Sequence, residues 1–433
     1  MAAMHPAQPD QQSALGRSAL RKASLRLIPL ISLGYGAAYM DRINISFASL
    51  QMNRDLHFSA TVYGLGAGLF FIAYAACEIP SNLLLYRLGA RRWLSRIMIT
   101  WGLVAMAMLF VRTPIQFYAM RFLLGVAEAG FFPGIIFYLT QWFPAEQRAR
   151  TMSRWYIALP LSSVFMGAVA GSLLSLNGRF GLAGWQWLFL VEGIPAVILG
   201  VVFLFVLPDS PAVATFLSPA ERTWILDRIE AESAETAHSS HSVAQALKDP
   251  RVWQIGLFMM LMLGSNYAIT FSAPDILQQS THLSTANIGY FISAISVVAA
   301  ASMLLGAIRS DRTRERYWHV IVPALVCAAA FVVCGLTNRP ALVVPAVATI
   351  FIGYTFMQGP LWAIPPTFFT GRSAAAGIAA MNMVGMLGGF LGPYALGIAK
   401  DFTGTYQRGL LFFAIPWLAA AALMLYLRTQ RQR

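Results

Sequence analysis

Six ionisable side chains stand in stretches of sequence that are otherwise too apolar to carry charge: Asp41, Arg42, Glu78, Arg121, Glu128 and Glu192. Placing one at the middle of a bilayer costs roughly 2.5–3.5 kcal/mol on insertion scales, so each needs a partner or a task. Arginine presents a planar fork of donors matched to carboxylates and keeps its charge at any working pH, which suits an anion site. A carboxyl removed from water takes up a proton more readily, as a proton carrier must, and Asp41 and Glu128 are placed for that work. The competing explanation is that Asp41 with Arg42, and Arg121 with Glu128, only neutralise one another and hold helices in register. Glu78, four residues after Tyr74, is expected to meet loop arginines, Arg154 to snorkel, and Glu192 has no partner visible in sequence. No nucleophile motif or metal-ligand spacing accompanies these groups, and His238 with His241 reads as part of a solvated linker. The chain is therefore not expected to be an enzyme or to need a cofactor or metal. The coupling ion is expected to be a proton, with sodium left open.

Helical spacing decides which of these groups share a face. Positions 35, 39, 42, 46 and 49 put Tyr35, Tyr39, Arg42, Ser46 and Ser49 on one polar stripe, which must line water or substrate rather than lipid. Asp41 and Asn44 fall on the adjacent face with Gly34, Ala37 and Ala48, where another helix can pack closely. Further on, Arg121, Gly125, Glu128 and Phe132 share a face, with Tyr118 one turn before. Arg121 and Glu128 are about 10 Å apart along the axis, too far for a simple pair, so each needs another partner. In the second half the candidates are uncharged: Asn266 and Tyr267, Gln358 and Trp362 at i, i+4, and Asn382 ahead of a close-packing stripe of Gly385, Gly389 and Gly392. They would supply hydrogen bonds and a flat apolar wall. Electrostatics come from one half of the chain and shape from the other.

The elements that must position these residues are membrane helices. Of 433 residues, 58% are hydrophobic and 11% charged, against about 45–50% and about 25% in soluble domains. Apolar runs long enough to cross about 30 Å of hydrocarbon place spans at roughly 24–50, 62–85, 94–112, 114–139, 150–176, 186–208, 252–278, 286–308, 318–336, 340–368, 372–396 and 408–427. The expected fold is an all-α membrane protein, twelve transmembrane helices in two six-helix halves, 24–208 and 252–427. A cytoplasmic linker at 209–251 joins the halves, with polar tails at 1–23 and 428–433. If the N-terminus is cytoplasmic, the inside segments hold 23 of the 31 Lys and Arg residues and the outside ones 6. That asymmetry puts both termini inside and makes the +13 net charge a record of orientation, not a sign of nucleic-acid binding. No removable signal peptide is expected, and Cys77, Cys327 and Cys334 all fall in spans, so no disulfide framework is expected.

The linker contains Glu221, Glu230, Ser239 and other polar residues, and Ser218 with Glu221 three positions later predicts a short interfacial helix. Internal repetition is weak but present: basic turns follow the second span of each half, at Arg91 and Arg92 and again at Arg312 and Arg314. Gly125 and Pro133 interrupt span four, and Gly353, Pro360, Pro365 and Pro366 interrupt span ten, which points to a midplane site.

These stretches together resemble the anion:cation symporters of the major facilitator superfamily, whose members take up sugar acids, tartrate, phthalate, hydroxyphenylacetate and similar carboxylates. The resemblance spans residues 20–427 and is carried by residues 39–44, 74–82, 91–93, 125–133, 142–144 and 184–187. It implies the major facilitator fold, with Arg42 and Arg121 serving the carboxylate and Tyr39 and Tyr74 touching substrate. It also implies that Asp41 and Glu128 carry protons and that Trp362 and Asn382 complete the pocket from the other half. Two departures stand out: Asn82 and Tyr86 replace the Gly and Asp of the usual loop motif, and Leu159 with Pro160 stands where sugar-acid members can carry an amide. The second argues for a substrate with fewer hydroxyls or an aromatic body. The implied activity is proton-coupled import of a small organic carboxylate across a bacterial-type inner membrane by a monomer. The alternatives are an exporter of the same fold or a non-transporting membrane sensor, and no nucleic-acid partner is expected.

Overall fold

The computed structural model describes residues 9–156, 158–238, 248–365 and 371–432; Ser239, His241, Pro366 and Arg433 lie outside the described residues. Within them every long element is a helix: α1 Pro9–Asp55, α2 Ala60–Leu88, α3 Ala90–Ala107, α4 Pro114–Glu128, α5 Phe131–Thr140, α6 Ala145–Tyr156, α7 Ala158–Leu174 and α8 Gly184–Val206. The helix α9 Pro219–His238 follows, then α10 Pro250–Thr281, α11 Thr285–Thr313, α12 Trp318–Leu336, α13 Pro340–Trp362, α14 Gly371–Thr403 and α15 Tyr406–Gln432. Eleven helical spans have the length and hydropathy of a membrane crossing, α4 with α5 counting as one. The twelfth is α1, whose apolar stretch is diluted by Asp41 and Arg42. Local signals start several helices where the chain leaves a turn. Ser59 caps α2 by accepting from the Val62 N–H, and Thr113 with Gln116 forms a reciprocal capping box on α4.

The polar tail expected before residue 24 is instead helical from Pro9 and continuous with the first span. Its stability comes from packing on the linker: Ala19 and Ala23 are fully buried. Ser18 Oγ and Lys22 Nζ donate to the Glu221 carboxylate at 2.7 and 2.9 Å. The interfacial helix expected at Ser218 is present as α9, and its box closes both ways, Ser218 N–H to Glu221 at 2.8 Å and Glu221 N–H to Ser218 Oγ at 3.3 Å.

The two halves meet most tightly at the end of the bundle away from the termini. There α2 packs on α14 and α7 on α11, through glycines that admit backbone-to-backbone approach. A Cβ at Gly64 would lie 2.3 Å from the Pro393 carbonyl oxygen, and one at Gly167 would lie 2.6 Å from that of Gly289. Asp401 at the end of α14 accepts from the free N–H groups of Ala60 and Thr61 at 3.0 and 2.7 Å, tying the N-terminus of α2 across the interface. Tyr63 donates to the Phe271 carbonyl at 3.0 Å in the same region, and Arg54 to Gln278 at 3.0 Å. At the terminus end the ion pairs Lys22 to Glu221, Arg91 to Asp209 and Arg428 to Glu315 each stay within one half or reach its linker. Helix α2 registers the asymmetry: Tyr63, Phe70, Phe71 and Tyr74 are buried, while Ile79, Leu83 and Tyr86 are exposed.

Candidate functional site

The fourth span breaks at midlength. Helix α4 ends at Glu128 and α5 begins at Phe131; Ala129 is extended and Gly130 has φ +86°. That left-handed backbone favours glycine, and a Cβ at 130 would sit 2.3 Å from Ser81 Oγ. The break leaves Glu128 at a helix end inside the bundle, where Arg42 of α1 donates to it. Both are buried, Glu128 almost completely. The partner that Glu128 needed in place of Arg121 is therefore Arg42.

Around this pair the aromatic residues of α2 hold the guanidiniums apart. The Phe70 ring lies 5.2 Å from both the Arg42 and the Arg121 guanidinium, and the Tyr74 ring 5.5 Å from Arg42. The negative ring faces offset part of the repulsion between two buried cations. Arg121 is wholly buried, donates to the Ala67 carbonyl at 3.4 Å, and has Nε and Nη1 without a hydrogen-bond partner among the described residues. On the next face of α1, Asn44 Nδ2 donates to Asp41 Oδ1 at 3.3 Å.

Beside the charged cluster, between the halves, is a cavity of about 60 Å³ bordered by α1, α7, α10, α11 and α13. It has room for a few waters, so a larger ligand must displace side chains. Tyr39 and Ser46 from the polar stripe of α1 line it, as does Asn266, whose Oδ1 has no partner among the described residues. Leu159 and Pro160 form an apolar part of the wall. Gln358 is buried one turn after the lining residue Tyr354, with Nε2 unpartnered among the described residues. Trp362 and Asn382 do not border this cavity. Trp362 ends α13, and Asn382 is on α14 where its neighbours Met381 and Gly385 pack against Gly256 and Met259 of α10.

Tyr354, Thr355, Ser163 and Thr270 also line the cavity. They are inconspicuous in the sequence, because a neutral hydroxyl in an apolar span carries no insertion cost large enough to demand a reason. The i, i+4 spacing of Tyr354 to Gln358 was the available signal.

Two expectations at the terminus end change. Glu78 is only half-buried and forms no ion pair with a loop arginine among the described residues; it stands ten residues before the end of α2. The acidic group absent from the turn between α2 and α3 is supplied by Asp209, just past α8. Its carboxylate accepts from the Arg91 N–H at 2.9 Å and stands over Gly89, a left-handed position at φ +86°. Arg154 is exposed, as a snorkelling side chain would be.

Twelve membrane helices in two halves, an interrupted fourth span and buried charges beside a cavity between the halves define a secondary transporter. The chain belongs to the Major Facilitator Superfamily, whose profile matches residues 31–393. It is 45% identical over 408 residues to an Agrobacterium vitis protein provisionally named as a tartrate transporter, covering 94% of this chain and 91% of that one. It is 38% identical over 420 residues to a quinolone resistance transporter of Acinetobacter baumannii, covering 96% and 97%. The inner membrane transport protein RhmT of Escherichia coli is 34% identical over 425 residues, covering 97% of both chains. Among solved structures, a bacterial homologue of the human lysosomal transporter Spinster superposes with a TM-score of 0.74 at 16% identity, covering 97% of both chains. The xylose transporter XylE in a partially occluded inward-open conformation superposes with a TM-score of 0.74 at 14% identity, covering 94% of this chain and 99% of that one.

Proposed function

We propose that this transporter is a proton-coupled symporter that imports a small organic carboxylate, with both termini on the cytoplasmic side of a bacterial inner membrane. The observation that carries the reading is the buried ion pair between Arg42 and Glu128 next to a cavity lined by Tyr39. Arg42 has one strong carboxylate partner. A substrate carboxylate can take the fork only when Glu128 lets go, and protonation of Glu128 is what releases it. Proton and anion then bind in support of each other, and the coupling is reciprocal in their binding free energies. Asp41 is the second proton carrier, and Arg121, with free donors, is the second anion contact. The tartrate-transporter relative supports an organic anion as cargo. Leu159 and Pro160 in the wall favour a substrate with few hydroxyls on that side.

The test uses purified protein in proteoliposomes loaded with labelled organic acids. Glu128→Gln should abolish uphill accumulation driven by a pH gradient while leaving anion counterflow, because the amide mimics the protonated acid. Normal accumulation by that variant would remove Glu128 from the mechanism. The quinolone resistance relative favours the opposite direction, export, on the same scaffold. Labelled flux under an imposed pH gradient of each sign decides between them.

A further inference from the structure

Glu192 has no part in the anion site just described, yet it is one of the most enclosed carboxyls in the molecule. It lies in the middle of α8, 6% exposed, and neither oxygen has a hydrogen-bond partner among the described residues. Helix α8 packs against α1, and Glu192 faces Asn44 and, beyond it, Asp41. Asn44 is fully buried; its amide nitrogen donates to Asp41 and its Oδ1 has no donor among the described residues. Asp41 Oδ2 is likewise unpartnered.

An asparagine between two ionised carboxyls leaves its oxygen without a donor. Its NH2 can serve one carboxylate or both, but its oxygen needs a donor, and an ionised carboxylate has none to give. A protonated acid against that oxygen would be the donor it lacks. Turning the amide over exchanges the two acids without supplying that donor. Charge balance agrees. The other ionisable groups turned toward this region are Arg42 of α1 and Arg121 and Glu128 of α4, with Tyr63 of α2 beside Arg121. Helix α7 contains no ionisable residue, and those of α3, Arg91, Arg92 and Arg96, are confined to its first two turns. Arg42 is held by Glu128, which leaves Arg121 to balance both Asp41 and Glu192. One bound proton removes the surplus negative charge.

We propose that Asp41, Asn44 and Glu192 form a relay that holds one proton, carried in this conformation by Glu192 and donated to Asn44. The relay gives Asp41 an internal partner with which to exchange a proton, so Glu192 is a positioning acid for the coupling step and not a contact of the substrate. That coupling role rests on the proposed symport; the presence of the proton does not.

Infrared spectroscopy of the purified protein reads the proton directly, through the stretching band of a buried protonated carboxyl and its shift in deuterated buffer. At neutral pH the band should be present in the native protein, absent in Glu192→Gln and retained in Asp41→Asn. Glu192→Asp keeps an acid but withdraws it from Asn44, and should move the band to that of an acid free of hydrogen bonds; this variant serves if the glutamine form does not fold. In proteoliposomes Glu192→Gln should lose about tenfold in pH-driven accumulation while counterflow stays within about twofold. No band in the native protein, or a band lost in Asp41→Asn and kept in Glu192→Gln, would overturn the proposal. So would a sodium-dependent rise in thermal stability that Glu192→Gln removes, which would make the cluster a metal-cation site. If the band behaves as expected but no organic acid is carried, the symport reading fails and the relay stands.

Discussion

The N-terminal and C-terminal halves share one architecture and almost none of each other's chemistry. In the first half, helices α1, α4 and α8 bury Asp41, Arg42, Arg121, Glu128 and Glu192 within one cluster. In the second, the polar groups that reach the cavity are Asn266, Thr270, Ser296, Tyr354 and Thr355, none of them charged. Tyr39 and Ser46 carry the polar stripe of α1 to the cavity wall beside that cluster, so a ligand with a charged end and a neutral body would be gripped by one half and shaped by the other. Rocking of the halves would then change the environment of the body while the charged end stays with the buried ionisable groups.

Arg42→Lys tests the charged side of that comparison most severely. The positive charge is kept, but the planar fork that serves a carboxylate bidentately is lost, and so is its stacking over Phe70 and Tyr74. Transport at subsaturating substrate should fall about 100-fold, equivalent to about 2.7 kcal/mol. An unchanged rate would place the carboxylate elsewhere.

Next in size is an effect on the motion itself. Asp401→Asn removes the charge that holds the α2 N-terminus across the interface. Hydrogen bonds to a charged group contribute about 1.5–3 kcal/mol each. The variant should therefore shift the balance between closed and open far ends by about tenfold or more. Cysteine accessibility at the end away from the termini should rise, with the pH dependence of transport unmoved.

Asn266→Leu probes the uncharged half. Losing one hydrogen bond to a ligand costs about 1 kcal/mol, so KM should rise about fivefold, and the ratio of accumulation to counterflow should not change. A changed ratio would mean that coupling is not confined to the first half, and the division drawn above would fail.

The contrast between halves was legible in the sequence because charge in an apolar span is costly enough to be conspicuous. The stripe from Tyr35 to Ser49, the twelve spans and the need of Glu128 for a partner other than Arg121 could all be read from spacing. Three things could not. The break at Gly130 depends on Ser81 of a neighbouring span occupying the space a Cβ would need. The helix through residues 9–23 forms on contacts to Glu221 and Trp224 some two hundred positions away. The cavity wall of the second half is built from neutral hydroxyls, and such residues look the same in sequence whether they face lipid, a helix or a ligand. The i, i+4 spacing of Gln358 and Trp362 points to the right helix, and the glycine stripe after Asn382 to one packed on α10, but other residues form the wall.

The smallest expected effect lies outside the membrane, at the contact that fastens the linker to the first half alone. Burial of Glu221 works against its charge, but the hydrogen bonds from Lys22, Ser18 and the Ser218 N–H prevail and push its carboxyl down to about 2. A carboxyl depressed in the folded state stabilises that state at any pH above its unfolded value, near 4.3. The contribution is lost as pH falls from there through about 2. Because Lys22 is half-exposed, solvent screening reduces the net effect to about 1–2 kcal/mol. Glu221→Gln should therefore speed hydrogen exchange in α9 and in the first turns of α1 by about 5–30-fold at pH 7. At pH 3 the difference from the native protein should be smaller. Exchange in α10 to α15 should not respond at either pH, because the contact joins the linker to the charged half and not to the other. A response there would show that the linker couples both halves, and the mechanical independence of the two bundles at that end would have to be given up.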